Sequence, residues 1–141
     1  MKTNIVERKI MWGDLDPMGI VFYPRYYEWM DAGSHLFFES IGLDLNILSK
    51  QRQLGFGLNE TSCIYSNPGR YHQTVRIITQ LEEVNEKTVK LKHLIYDASD
   101  DELLVTGVEK RICMDVSKPE NIRAIAIPEE IHSILKNAID C

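Results

Sequence analysis

Residues 13–31 read GDLDPMGIVFYPRYYEWMD, and the change of pattern inside this stretch decides the fold. Its first half sets Asp14 and Asp16 among Gly13, Pro17 and Gly19, the composition of a tight, irregular turn. From Pro24 the pattern changes: Tyr26, Trp29, Met30, Gly33, Phe37 and Ile41 recur every three or four residues, a helical period. Pro24 suits the first turn of that helix and Gly42 its end. Two readings of the acidic turn stand side by side. Asp14 and Asp16 cap an ordinary connection, or one of them is a reactive carboxylate placed beside the free amides of a helix start.

Outward from this stretch, residues 5–12 mix apolar and polar positions as a short, half-buried strand does. Residues 44–53 suit a second short helix leading into Leu54–Gly57. Four strand-like stretches follow at about 58–66, 72–84, 87–97 and 103–115, each alternating or rich in Val, Ile, Thr and Tyr. The links SNPGRY, VNEK and ASDDE are short and turn-rich, so consecutive antiparallel pairing is the expected topology. After a polar link at 117–124, Pro128 and EEIHSILKNAI predict a terminal helix from about residue 129. The sum is an α+β domain spanning 1–141, a long helix against an antiparallel sheet. Such a sheet leaves a face and an edge to protect, which predicts a homo-oligomer.

At 141 residues with 44% hydrophobic and 26% charged side chains, the chain has the composition of a globular protein with a core rather than of a disordered one. Acidic residues outnumber basic ones 21 to 16 and no basic run marks a face, which opposes a nucleic-acid partner. No apolar run approaches the length that crosses a bilayer, and the start MKTNIVERKIMWGD lacks a long apolar core, so no membrane insertion is expected. Cys63, Cys113 and Cys141 form neither a close pair nor a metal-spaced cluster, which suits a reducing cytoplasm. His35, His72, His93 and His132 show no metal-ligand spacing.

The stretch at 13–31, the Gly57 turn and the segment ENIRAIAIPEE at 120–130 together resemble the hotdog-fold acyl-CoA thioesterases, in particular the 4-hydroxybenzoyl-CoA thioesterase-like and YbgC-type group. The resemblance covers nearly the whole chain. It implies a hotdog fold, an antiparallel sheet wrapped around a long central helix. It also implies hydrolysis of an acyl-CoA thioester without a metal or separate cofactor, CoA being part of the substrate, in a homodimer or homotetramer. An acyl-carrier-protein thioester is the alternative substrate, and a non-catalytic acyl-thioester-binding protein the alternative role.

By the same resemblance Asp16 is the catalytic carboxylate, either attacking the thioester carbonyl or activating water. The Gly57 amide is the implied donor to the carbonyl oxygen, where negative charge develops. After Gly57 the chain reads LNETS where the 4-hydroxybenzoyl-CoA enzyme has a Gly-Thr-Pro turn, which makes Glu60 the alternative base. Tyr23 stands where the broad acyl-CoA hydrolases commonly have histidine; its hydroxyl can donate a hydrogen bond but is no neutral-pH base. Ile20, Val21 and Phe22 are expected wall residues, while Asp14 and Asp31 are expected to brace structure. For the CoA phosphates the candidates are Lys87, Arg70 and Arg123, with Arg111 a further cation.

Overall fold

The aromatic stretch forms the central helix of the computed structural model, which describes residues 1–140; Cys141, the third cysteine, lies outside the described residues. This helix, α1 (Pro24–Ser40), starts with Pro24 at its first position and buries Tyr26, Trp29, Met30, Gly33, Ser34, Phe37 and Phe38 along one side. Strand β1 (Thr3–Lys9) precedes it, with a single 3-10 turn at Trp12–Asp14 between them. After it come α2 (Leu45–Arg52), β2 (Leu54–Tyr65), β3 (Thr74–Val84), β4 (Thr88–Asp97), β5 (Leu103–Asp115), the two-residue β6 (Arg123–Ala124) and α3 (Glu129–Asp140). Asp44 caps α2 by accepting from the Asn46 and Ile47 amides, satisfying two donors that the helix start leaves free.

All strands pair antiparallel in the order β1-β3-β4-β5-β2, with β6 alongside β5. The expected consecutive pairing therefore holds only for β3, β4 and β5, whose links are short. β2 pairs with β5, not β3, and lies at the opposite edge from β1. The connection at 66–73 is long enough to carry the chain from that edge across the end of the sheet. β2 also begins at Leu54, four residues before the expected start, and β1 ends at Lys9.

Alternation decides which side chains meet α1. Val75, Ile77 and Leu81 of β3 and Val89, Leu91 and Ile95 of β4 point inward and are buried, while their sequence neighbours are only partly covered. The sheet thus wraps α1 as a hotdog fold does. Gly33 marks a close approach of helix and sheet: a Cβ there would lie 2.8 Å from Thr79 Oγ1. The core has two parts. Around the head of α1, Tyr26, Trp29 and Met30 pack on Ile10, Val21 and Leu104. Around its tail, Phe37 and Phe38 pack with Phe56, Leu81 and the α3 residues Ile131 and Leu135. Each such large side chain contributes roughly 1.5–3 kcal/mol on burial.

Candidate active site

The acidic turn is a three-residue hairpin loop. The Gly19 N–H donates to Asp16 O at 2.9 Å and the Asp16 N–H to Ile20 O at 2.8 Å. Pro17 stands at the second position of the turn and Gly19 at φ +78°, the left-handed residue such a loop requires. Asp16 Oδ1 accepts from the Met18 N–H at 2.8 Å. Its Oδ2 meets no protein donor among the described residues. One carboxylate oxygen thus caps the turn, as the first reading expects, and the other carries no protein hydrogen bond among the described residues.

Asp14 braces this loop from below. It is buried, accepts from the Met11 N–H at 2.8 Å, and lies 3.3 Å from Arg8 Nη2 and 3.4 Å from Arg25 Nε. Arg8 in turn stacks over the Trp29 ring. The loop carrying Asp16 is therefore tied to β1 and to α1.

Asp16, Ile20, Val21, Tyr23, Tyr26, Tyr65 and residues 66–68 line a cavity of about 420 Å³. Of the expected wall residues, Phe22 is turned out, 47% exposed. At the helix head, Arg25 and Tyr26 donate their amides to Phe22 O and Tyr23 O, and Pro24 has no N–H. The Tyr23 N–H has no protein acceptor among the described residues and is the free donor there. Burial pushes the Tyr26 and Tyr65 phenols above their ordinary pKa, so both stay neutral near pH 7. Tyr26 Oη accepts from the Gly69 N–H at 3.1 Å, holding the wall to the far loop.

Gly57 is not brought to Asp16. It lies within β2 opposite Ile112, on the outer side of the sheet, where a Cβ would strike Met114 at 2.8 Å. Successive amides of a ladder point to opposite sides. The Cys113 N–H donates to Lys87 O on the β4 side, so Ile112 faces β2, and the Gly57 amide opposite it faces β5. Glu60 projects from the same outer surface beside Lys110, also away from the cavity. Among the cations, Arg70 is bridged to Ile20 at the cavity loop. Lys87 lies in the β3–β4 turn, and Arg123 in β6 is 3.6 Å from Asp115. Arg111 is buried and already engaged, so it is no free phosphate ligand.

That engagement reveals a cluster not singled out in the sequence. Glu109, 2% exposed, accepts from Ser34 Oγ at 2.7 Å and Arg111 Nε at 3.0 Å, and its Oε1 lies 2.9 Å from His93 Nε2, which is also 3.2 Å from Ser34 Oγ. His93 Nδ1 is 2.8 Å from Thr79 Oγ1. Arg111 also donates to Phe56 O at 3.1 Å and Asp31 Oδ1 at 2.6 Å. Burial alone would raise the Glu109 pKa, but His93, Arg111 and Ser34 together outweigh it and hold the carboxyl below its ordinary range. Ser34, His93 and Glu109 are sealed from solvent, so the cluster is structural: it fastens the middle of α1 to β3, β4 and β5. Among the described residues no group of three or more His, Cys, Asp or Glu is arranged to hold a metal ion, and no helix is long and apolar enough to cross a membrane.

The sequence profile described as the thioesterase-like superfamily matches residues 10–135. The 4-hydroxybenzoyl-CoA thioesterase of Pseudomonas sp. strain CBS-3 is 25% identical over 134 residues, covering 92% of this chain and 94% of that one. Its solved structure superposes with a TM-score of 0.86, covering 95% and 99% of the two chains at 25% identity. The structure of BH1999, described as a gentisyl-coenzyme A thioesterase, gives a TM-score of 0.79 at 28% identity over 95% of this chain and 100% of that one.

Proposed function

Because this chain belongs to the thioesterase-like superfamily, we propose that it hydrolyses an acyl-CoA thioester to a carboxylic acid and free coenzyme A, with the Asp16 carboxylate as the reacting group. The observation that carries this reading is that the open oxygen of Asp16 and the free amide of Tyr23 belong to residues lining one cavity. A thioester needs both: a carboxylate to attack or to take a proton from water, and a donor for the oxygen that becomes negative. The Tyr23 amide fills the role expected of Gly57, with the dipole of α1 behind it. Val21, Tyr26 and Tyr65 supply an apolar wall for the acyl group. Arg70, beside the cavity loop, is the best-placed cation for a CoA phosphate. A second copy of the chain would cover the open β2 edge, where Leu58, Ile64 and Tyr65 are about half exposed or more.

The test is free-thiol release from short, medium, branched and aromatic acyl-CoAs by the parent protein, Asp16→Asn and Tyr23→Phe. Asp16→Asn is expected to fold and lose at least about 100-fold in turnover, while Tyr23→Phe, which keeps the amide, stays within about tenfold. Turnover by folded Asp16→Asn equal to the parent would refute the assignment.

A further inference from the structure

A water attacks most readily when its oxygen is aimed at the carbonyl, and two acceptors, one the base and one for the other hydrogen, fix that orientation. In the cavity, Asp16 offers the first acceptor. Directly after β2, Asn67 offers a second. Its Nδ2 donates to Leu103 O at 2.8 Å and its own N–H to Leu104 O at 3.2 Å, so both its donating groups are fixed on β5. Because a carbonyl holds the amino side, the Oδ1 end of the amide is defined, and among the described residues no protein donor meets it. Asn67 lines the cavity that contains Asp16 and Tyr23. It is therefore an acceptor held in place by its own donors, without a protein donor among the described residues, in the cavity that Asp16 lines.

Building on the thioesterase reading above, we propose that Asn67 Oδ1 orients the attacking water, accepting one of its hydrogens while Asp16 deals with the other. In the general-base form the water oxygen bonds to the carbonyl carbon as its proton passes to Asp16, and the C=O π pair moves onto the oxygen facing the Tyr23 N–H. Collapse of that intermediate breaks the C–S bond, and the thiolate leaves with the proton from Asp16. In the covalent form Asp16 first expels the thiolate, and the same water then cleaves the anhydride, its proton going to the carboxylate released. Asn67 serves the water step in both.

The test uses a competing nucleophile. The parent and Asn67→Ala are incubated with an acyl-CoA substrate and hydroxylamine, and acid and hydroxamate products are counted. Loss of an orienting hydrogen bond is expected to slow the water reaction about tenfold at nearly unchanged KM. Hydroxylamine does not depend on that contact, so the hydroxamate-to-acid ratio should rise by about the same factor. After subtraction of the acid and hydroxamate formed without enzyme, the ratio is independent of how much variant is folded, which separates orientation from a loosened loop. An unchanged ratio in an active protein overturns the role of Asn67 and leaves Asp16 standing. A raised KM with an unchanged ratio likewise overturns it and makes Asn67 a substrate contact. A parent that releases no thiol from any acyl-CoA overturns both.

Discussion

Glu109→Gln keeps the size of the side chain and removes one buried charge, and the geometry around Glu109 sets the cost. The carboxylate accepts from Ser34 and Arg111 on Oε2 at 2.7 and 3.0 Å, and its Oε1 lies 2.9 Å from His93 Nε2. A glutamine oxygen can serve that pair, but its amino group then meets His93 Nε2, which must give up its hydrogen. Thr79 can follow by reversing its own hydrogen bond to Nδ1. The unavoidable loss is the charge opposite Arg111. Removing one partner of a buried ion pair costs roughly 3–5 kcal/mol. Arg111 keeps Asp31 and Phe56 O, which puts the expected loss near the lower end, about 3 kcal/mol. For a domain of this size that is roughly a 10–15 °C fall in Tm. Urea unfolding at pH 7, followed by two probes with unchanged slope, measures it. The pH dependence supplies a second check. The folded-state pKa of Glu109 is depressed, so its contribution is complete above the ordinary glutamate range and disappears as the pH falls through the folded value. The gap between parent and variant should therefore close in acid. A gap below about 0.5 kcal/mol at pH 7, or one that stays constant down to the acid transition, would refute the argument.

Two further substitutions address the loops around the cavity. In Gly69→Ala the new Cβ would lie 2.8 Å from both Tyr26 Oη and Val21 Cγ2 and 3.1 Å from Ile10 Cδ1. Overpacking of this kind costs about 1–3 kcal/mol, and the displaced cavity wall should lower turnover with it; denaturant curves and thiol release read the two effects, and unchanged values in both would mean that the loop yields freely. Asp14→Asn keeps an acceptor for the Met11 N–H but weakens the hold of Arg8 and Arg25 on the loop. It should melt lower and lose less than about tenfold in turnover, and a loss as deep as that of Asp16→Asn would transfer the chemistry to Asp14.

The parts of the molecule legible in the sequence are those fixed by near neighbours. The spacing of Tyr26, Trp29, Met30, Gly33 and Phe37 is a local property, and it located both α1 and its buried side. Strand alternation tells which face a residue takes but not which strand lies beside it, so β3, β4 and β5 were ordered by their short links while β2 was not. The early start of β2 was hidden in LGFG, where two glycines suggest a turn; in the sheet they leave room for Met114 on the adjacent strand and for Val116 just past its end. A glycine signals either free dihedrals or close approach, and Gly57 serves the second purpose. The buried cluster joins residues 59 and 75 positions apart, beyond any local pattern. Its trace was one of parity: His93, Glu109 and Arg111 occupy inward positions of strands whose other inward residues are mostly apolar.

Parity also explains why the cluster bears on the site without touching it. In the proposed reaction the Tyr23 amide serves only if the head of α1 stays in register with the loop of Asp16, and reactive geometry is sensitive to displacements of about 1 Å. Apolar contacts alone tolerate sliding of a helix along its groove, because they are not directional. Ser34 and Asp31, bonded to Glu109 and Arg111, cannot slide without leaving buried polar groups unpaired, and Gly33 against Thr79 fixes the depth of the helix. At the head, Asp14 reaches Arg25 of α1 directly. The helix is thus held at its middle by buried hydrogen bonds and at its start by an ion pair. The cavity beside the head of α1 is walled by apolar and neutral aromatic side chains, and in the proposed reaction these two anchors hold the Tyr23 amide against the loop that carries Asp16.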